Sequence, residues 1–252
     1  DSGATWEELT AAEERNWIGS MLTGGGSLLS LADAQNIYTS TDSGETWGMQ
    51  EGLGHYSGVA TFSADGTKIA TAGYSRNIYT SSDSGATWTE QTGSGARFWT
   101  TVNMSADGTK IVATVNGNHG PAFLYTSVDS GATWVEQVAV GGRQWTSANF
   151  SADGTKIIAT ATTGDYTPGP DYIYTSSDAG TTWTRQSGVP AYGKMTTSFD
   201  GSKVILGSNT SAKVYISTDF TATWTEQVVP GSSALGSIDA SSDGSTLVVA
   251  TG

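Results

Sequence analysis

A six-residue string, Asp1-Ser2-Gly3-Ala4-Thr5-Trp6, returns five more times along the chain: as Asp42-Ser43-Gly44-Glu45-Thr46-Trp47, then from Asp83 to Trp88, Asp129 to Trp134, Asp178 to Trp183 and Asp219 to Trp224. A period of roughly 40 residues is that of propeller blades or solenoid repeats, whose units cannot bury their apolar faces alone and must stack on copies of themselves. Five of the strings follow a short β-forming run: Asn36-Ile37-Tyr38-Thr39, Asn77-Ile78-Tyr79-Thr80, Phe123-Leu124-Tyr125-Thr126, Tyr172-Ile173-Tyr174-Thr175 and Lys213-Val214-Tyr215-Ile216. A second landmark, Ser-Ala-Asp-Gly-Thr-Lys, stands at Ser63 to Lys68, Ser105 to Lys110 and Ser151 to Lys156, with looser copies around Asp200-Gly201 and Asp243-Gly244. Asp-Gly between β-rich runs marks a hairpin, because Gly accepts the positive φ of a tight turn.

One unit thus reads strand A, Asp-Gly hairpin, strand B, loop, strand C, Asp-rich turn, strand D. Four antiparallel strands in about 42 residues make one propeller blade. The expected fold is all-β: a single β-propeller over residues 1–252, of about six four-stranded blades. Its units are 11–51, 52–92, 93–138, 139–187 and 188–228, and a composite of 229–252 with 1–10. The tail supplies an A strand near Ala234 to Ala240 and a B strand near Thr246 to Thr251, and the start supplies a D strand from Thr5 to Leu9. N- and C-terminal strands are therefore expected to close the ring in one blade. The C strand missing from that blade leaves an edge open to strand addition, from upstream polypeptide or from a neighbouring subunit.

The turns resemble the Asp-box (BNR) motif Ser-x-Asp-x-Gly-x-Thr-Trp of sialidase-like propellers, complete in Ser40 to Trp47, Ser81 to Trp88, Ser127 to Trp134 and Ser176 to Trp183. The resemblance covers nearly the whole chain and implies a propeller in which each box joins strands C and D. Asp1, Asp42, Asp83, Asp129, Asp178 and Asp219 would then accept backbone N–H bonds, and Trp6, Trp47, Trp88, Trp134, Trp183 and Trp224 would each pack back onto their own blade. Thr221 stands where the sixth box needs Gly, so that turn is expected to be strained or reshaped.

Composition excludes several partners. A net charge of −13 with 11 scattered basic residues argues against nucleic acid, and no apolar run nears the roughly 20 residues that insert into a membrane. Without cysteine there are no disulfides or thiolate ligands. One carboxylate per box falls short of the six to eight oxygens calcium wants, and His55 and His119 lie in different units, so neither a metal nor a cofactor is expected.

In a propeller the D-to-A and B-to-C loops share one face. Three D-to-A connections repeat a pair, Arg15 with Trp17, Arg97 with Trp99 and Arg143 with Trp145, and so hold three of five arginines. Guanidinium and indole groups at one mouth suit a sugar ring or a carboxylate. The competing reading makes Trp a core residue at the start of strand A, with Arg lying over it. Four residues before each hairpin Asp stand Thr61, Asn103, Asn149, Thr196 and Asp239, a polar ring expected along the inner strands. That placement would hide the sequons at Asn103 and Asn149, leaving Asn209 as the acceptor in a secreted protein.

The sialidase resemblance implies an arginine triad and a Tyr–Glu nucleophile pair, but no Phe/Tyr-Arg-Ile-Pro segment is present and the loop arginines are equivalent by repetition. The favoured expectation is therefore a non-catalytic structural or interaction propeller. It is expected to bind a protein partner or a neighbouring subunit. An extracellular or cell-surface location follows from the acidic, Ser/Thr-rich composition and the habit of the resembled family. The alternative is a glycan-binding or glycosidase-like propeller using the Arg-x-Trp loops. A third reading is an assembly chaperone resembling the Asp-box factors of photosynthetic complexes.

Overall fold

A computed structural model of the chain describes residues 19–22, 29–32, 36–40, 42–50, 53, 58–115, 122–162, 172–186, 194–208, 211–230, 235–241 and 243–251. The first box, Asp1 to Trp6, and the expected D strand after it lie outside these residues.

Five four-stranded antiparallel meanders follow one another. Sheet 1 holds β1 (Gly19–Leu22), β2 (Leu29–Ala32), β3 (Ile37–Ser40) and β4 (Gly48–Met49). Sheet 2 holds β5 (Gly58–Phe62), β6 (Ile69–Gly73), β7 (Ile78–Ser81) and β8 (Thr89–Gln91). Sheet 3 holds β9 (Trp99–Met104), β10 (Ile111–Val115), β11 (Leu124–Ser127) and β12 (Val135–Glu136). Sheet 4 holds β13 (Gln144–Phe150), β14 (Ile157–Thr162), β15 (Tyr172–Ser176) and β16 (Thr184–Gln186). Sheet 5 holds β17 (Lys194–Thr197), β18 (Val204–Gly207), β19 (Lys213–Ser217) and β20 (Thr225–Val228). A last sheet has two strands, β21 (Leu235–Ala240) and β22 (Leu247–Thr251).

The first strand of each sheet lies beside the first strand of the next, from β1 and β5 through to β17 and β21. Successive side chains of a strand point to opposite faces, and here both faces are buried. On β10, Ile111 and Ala113 pack with Ala70, Ala72 and Ile78 of sheet 2, whereas Val112 packs with Phe150, Ile157 and Ala159 of sheet 4. Each such aliphatic side chain contributes about 1.5–3 kcal/mol when fully buried, so the core is a series of inter-sheet layers.

Register is repeated as faithfully as sequence. Ile69 pairs with Ser81, Ile111 with Ser127, Ile157 with Ser176 and Val204 with Ser217, which fixes every box serine opposite the first residue of its second strand. From there Ser127 Oγ donates to Asp129 Oδ1 at 2.8 Å and accepts the Gly131 N–H at 2.8 Å. The same aspartate accepts the N–H and hydroxyl of Thr133. Those bonds hold Ser130 and Gly131 at φ 59° and 93°, a left-handed pair that glycine accepts most readily. Thr221 keeps this geometry at φ 76°, its N–H 2.8 Å from Ser217 Oγ. The sixth box is strained, not reshaped.

The indoles depart from expectation. Trp88 packs with Ile37 and Leu53, Trp134 with Ala70 and Ile78, and Trp183 with Val112 and Leu124. Each therefore lies against the preceding sheet instead of returning only to its own. Trp134 also lies 6.2 Å from Trp99 of its own sheet, so each ring fills the layer that two sheets share.

The hairpins chain together around the molecule. Ala64 N–H donates to Ala106 O, Ala106 N–H to Ala152 O and Ala152 N–H to Phe199 O, at 2.7, 2.8 and 2.6 Å. Lys68 and Lys110 reach forward to the Asp107 and Asp153 carbonyls, both at 2.9 Å, and a Cβ on Gly154 would sit 2.7 Å from the Lys110 stem. Boxes belong to the same end, because Ser84 N–H donates to Thr67 O and Ser130 N–H to Thr109 O.

Candidate ligand-binding face

The other end is made of the B-to-C and D-to-A connections, tied together where Arg97 N–H donates to Arg76 O. Two D-to-A connections have one local design. Thr92–Ser94 and Val138–Val140 each form a single 3-10 turn ending on a glycine of positive φ, Gly95 or Gly141. The arginine two residues later closes the turn, Arg97 Nε donating to Ser94 O at 3.1 Å and Arg143 Nε to Val140 O at 3.0 Å.

The aromatic half of each pair goes inward. Trp99 is 1% exposed and Trp145 3%, with Trp99 edge-on to Tyr125 at 5.3 Å and Trp145 edge-on to Tyr174 at 5.5 Å. Trp99 Nε1 also donates to Arg76 O at 2.9 Å. These indoles are core residues and offer no ring face at the surface. The guanidinium groups stay outside, Arg97 over the Tyr125 ring at 4.6 Å and Arg143 over Tyr172 at 4.7 Å and Tyr174 at 5.2 Å. Arg15, Trp17 and the sequon Asn209 lie outside the described residues, as do His55 and His119.

Residues of the third and fourth strands to which the sequence assigns no role at this face complete it. The central tyrosine of each third strand pairs directly with a residue on the fourth: Tyr79 with Glu90, Tyr125 with Glu136, Tyr174 with Arg185 and Tyr215 with Glu226. The signal was in the repeat, where the residue two positions after the box tryptophan is Met49 in sheet 1, acidic in sheets 2, 3 and 5 and basic in sheet 4. Tyr125 donates to Glu136 Oε2 at 2.7 Å. Burial first, and then the Glu136 hydrogen bond, raises its pKa well above the usual phenol value. Burial and the Glu90 charge likewise raise Tyr79. Phenols held neutral in this way are poor nucleophiles.

An open groove of about 340 Å³ runs over sheet 2, lined by Tyr74, Arg76, Asn77, Tyr79, Glu90 and Ala96. Asn77 Nδ2 donates to Glu90 Oε1 at 2.8 Å on one wall, and Tyr74 lies 6.0 Å from Phe98 on the other. Polar groups beside an exposed ring suit a sugar or a peptide side chain. Along the inner strands Asn103 Nδ2 donates to Asn149 Oδ1 at 2.8 Å and to Ala148 O at 2.6 Å, so these two sequon asparagines are committed to one another. No group of three or more His, Asp or Glu able to hold a metal exists among the described residues.

No family model and no curated protein sequence matches this chain. Solved structures do. An ancestral GH74 enzyme superimposes with a TM-score of 0.71 at 14% identity, over 99% of this chain and 36% of its own. The GH74 xyloglucanase of Xanthomonas campestris gives 0.60 at 13% identity, over 86% of this chain and 39% of its own. YCF48 bound to D1 peptide gives 0.64 at 14% identity, over 95% and 79%. The chain thus spans well under half the length of both GH74 structures. These are β-propeller proteins, and the fold is a propeller.

Proposed function

We propose that this chain is a non-catalytic interaction propeller of the Asp-box type, with about six blades and its ring closed in the blade that contains β21 and β22. It acts as an extracellular or cell-surface module of a larger assembly. The observation that carries this reading is where the acids go. Asp42, Asp83, Asp129, Asp178 and Asp219 accept hydrogen bonds inside their own boxes, and Asp65, Asp107, Asp153, Asp200 and Asp243 do so inside their own hairpins. A glycoside hydrolase of the usual kind needs two carboxyl groups roughly 5–10 Å apart across a cleft; these ten are committed to turn scaffolding at the far end, and the groove over sheet 2 is lined by one acid, Glu90, among the described residues. A peptide partner is supported by YCF48, whose propeller is seen bound to a peptide.

The β22 strand pairs with β21 alone among the described residues, and its Val248 is 66% exposed. A free edge beside exposed apolar side chains is a template for strand addition. Hydrogen exchange tests this with a peptide of the β19 sequence, Lys-Val-Tyr-Ile-Ser, as probe. Alternate β22 amides should exchange quickly in the chain alone and slow when the peptide is added. Full protection of β22 without peptide would mean that the chain fills its own edge.

A second reading, a glycan-binding or glycosidase-like propeller, draws on the groove over sheet 2 and on the GH74 enzymes that share the fold. Turnover of xyloglucan or of a fluorogenic sialoside by the purified chain would replace the first reading with this one.

A further inference from the structure

Sheet 4 breaks the charge rule that its neighbours keep. At the boundary between sheets 2 and 3, the cation Arg97 on Tyr125 is matched by Glu136 bonded to the same tyrosine. On sheet 5 Lys213 pairs with Glu226 at 2.9 Å. At the boundary between sheets 3 and 4, the acid's place opposite the tyrosine is taken by Arg185. Arg185 lies over Tyr172 at 4.1 Å, and Arg143 lies over the same ring at 4.7 Å. Two cations share one aromatic ring, well inside the roughly 10 Å screening length of 0.1 M salt, and neither has a carboxylate partner among the described residues.

Repetition explains why Arg143 exists, since its counterpart Arg97 closes an identical turn. It does not explain Arg185. Like charges set this close repel, and beside Arg143 an acid at this position would have been the electrostatically cheaper residue, as Glu136 is beside Arg97. A guanidinium pair is, however, a good receptor for a planar carboxylate, which it can hold through paired N–H···O bonds.

We propose that Arg143 and Arg185 form a docking site for an acidic peptide segment, with Asp or Glu carboxylates of the partner accepting from the N–H groups of the two guanidinium groups. Tyr172 argues for peptide over sugar: its ring already carries both guanidinium groups and packs against the buried cluster around Trp145, so it is engaged before any pyranose could stack on it. The site sits beside β16, the outermost strand of its sheet among the described residues. This deepens the interaction-module reading by naming the partner's chemistry.

The test is fluorescence anisotropy with a labelled hexaglutamate peptide, alongside a labelled hexauronate of the same charge. The peptide should bind saturably and more weakly as salt rises. Arg185→Glu restores the residue of sheets 2, 3 and 5, so it should fold with an unchanged or higher thermal midpoint while losing about tenfold or more in affinity. Lys68→Gln, at the hairpin end, lowers the net charge by one unit where Arg185→Glu lowers it by two, and should leave binding within about twofold of the parent. Absence of saturable binding, equal loss in Lys68→Gln, retention in Arg185→Glu, or binding of the hexauronate alone would each overturn the proposal. None of these outcomes alters the β22 exchange result, so the two readings fail separately.

Discussion

The indole N–H of Trp183 donates to Oε1 of Gln137 at 3.0 Å, across the boundary between sheets 3 and 4, and Gln137 Nε2 donates in turn to Thr126 Oγ1 at 2.7 Å. The relay recurs where Trp88 donates to Gln50 and Gln50 to Thr39. It stitches these two boxes to the sheets before them, whereas the buried Trp134 indole N–H has no partner among the described residues. Gln137→Leu leaves a buried hydroxyl and part of the indole N–H without a partner, so it should cost about 1–3 kcal/mol in urea unfolding. Trp183→Phe made in addition should cost less than the sum of the two singles, because the residues share one bond.

Thr221 holds a φ of 76° where the other boxes carry glycine. A β-branched residue in the left-handed region is strained by roughly 1–2 kcal/mol. Thr221→Gly should therefore raise stability by about 1 kcal/mol, the remainder being offset by the extra freedom of glycine when unfolded. The reverse experiment, Gly131→Ala, meets both a φ of 93° and Thr80 Cγ2 at 3.0 Å, and should lower the unfolding midpoint.

Sheet architecture was legible in the sequence because each element is marked by its own turn chemistry. The Asp-Gly hairpins fall between the first and second strands, the boxes between the third and fourth, and β21 and β22 lie where the tail predicts an A and a B strand. The partners of the tryptophans were less legible. A motif states that a ring follows a turn, but which sheet receives the ring depends on twist and stacking. The glutamine three residues after each of five tryptophans, from Gln50 to Gln227, was the available signal. At the ligand-binding face the repeated Arg-x-Trp pair drew attention to residues that repetition alone accounts for, whereas Arg185, the departure from the repeat, is the more informative position.

All ten turn aspartates of the described boxes and hairpins have depressed pKa values. In Asp83 the Thr87 hydroxyl is the largest cause, and in Asp200 it is Ser198; both stand at about 2. An unfolded aspartate titrates near 4, so the folded state binds fewer protons between these values and stability falls as pH drops through that window. The thermal midpoint should be nearly flat from about pH 7 to 5, then decline steeply from about pH 4 to 2. The loss should be shared over many sites, so a single Asp83→Asn change should shift the acid limb only slightly.

Trp99 and Arg97 separate packing from recognition within one loop. The indole is enclosed by Tyr125, Trp134 and the aliphatic face of sheet 2, so Trp99→Ala should cost about 3–5 kcal/mol in denaturant unfolding, the range of a truncated core aromatic. Arg97 is half-exposed; its Nε bond to Ser94 O and its place over Tyr125 contribute through a hydrogen bond and a cation–π contact, each worth about 1 kcal/mol at such sites. Arg97→Ala should therefore cost no more than about 2 kcal/mol. Binding measured on Trp99→Ala well below its lowered midpoint should match the parent. A specific loss of affinity there, with the fold intact by near-UV circular dichroism, would place the indole at the ligand and contradict its burial.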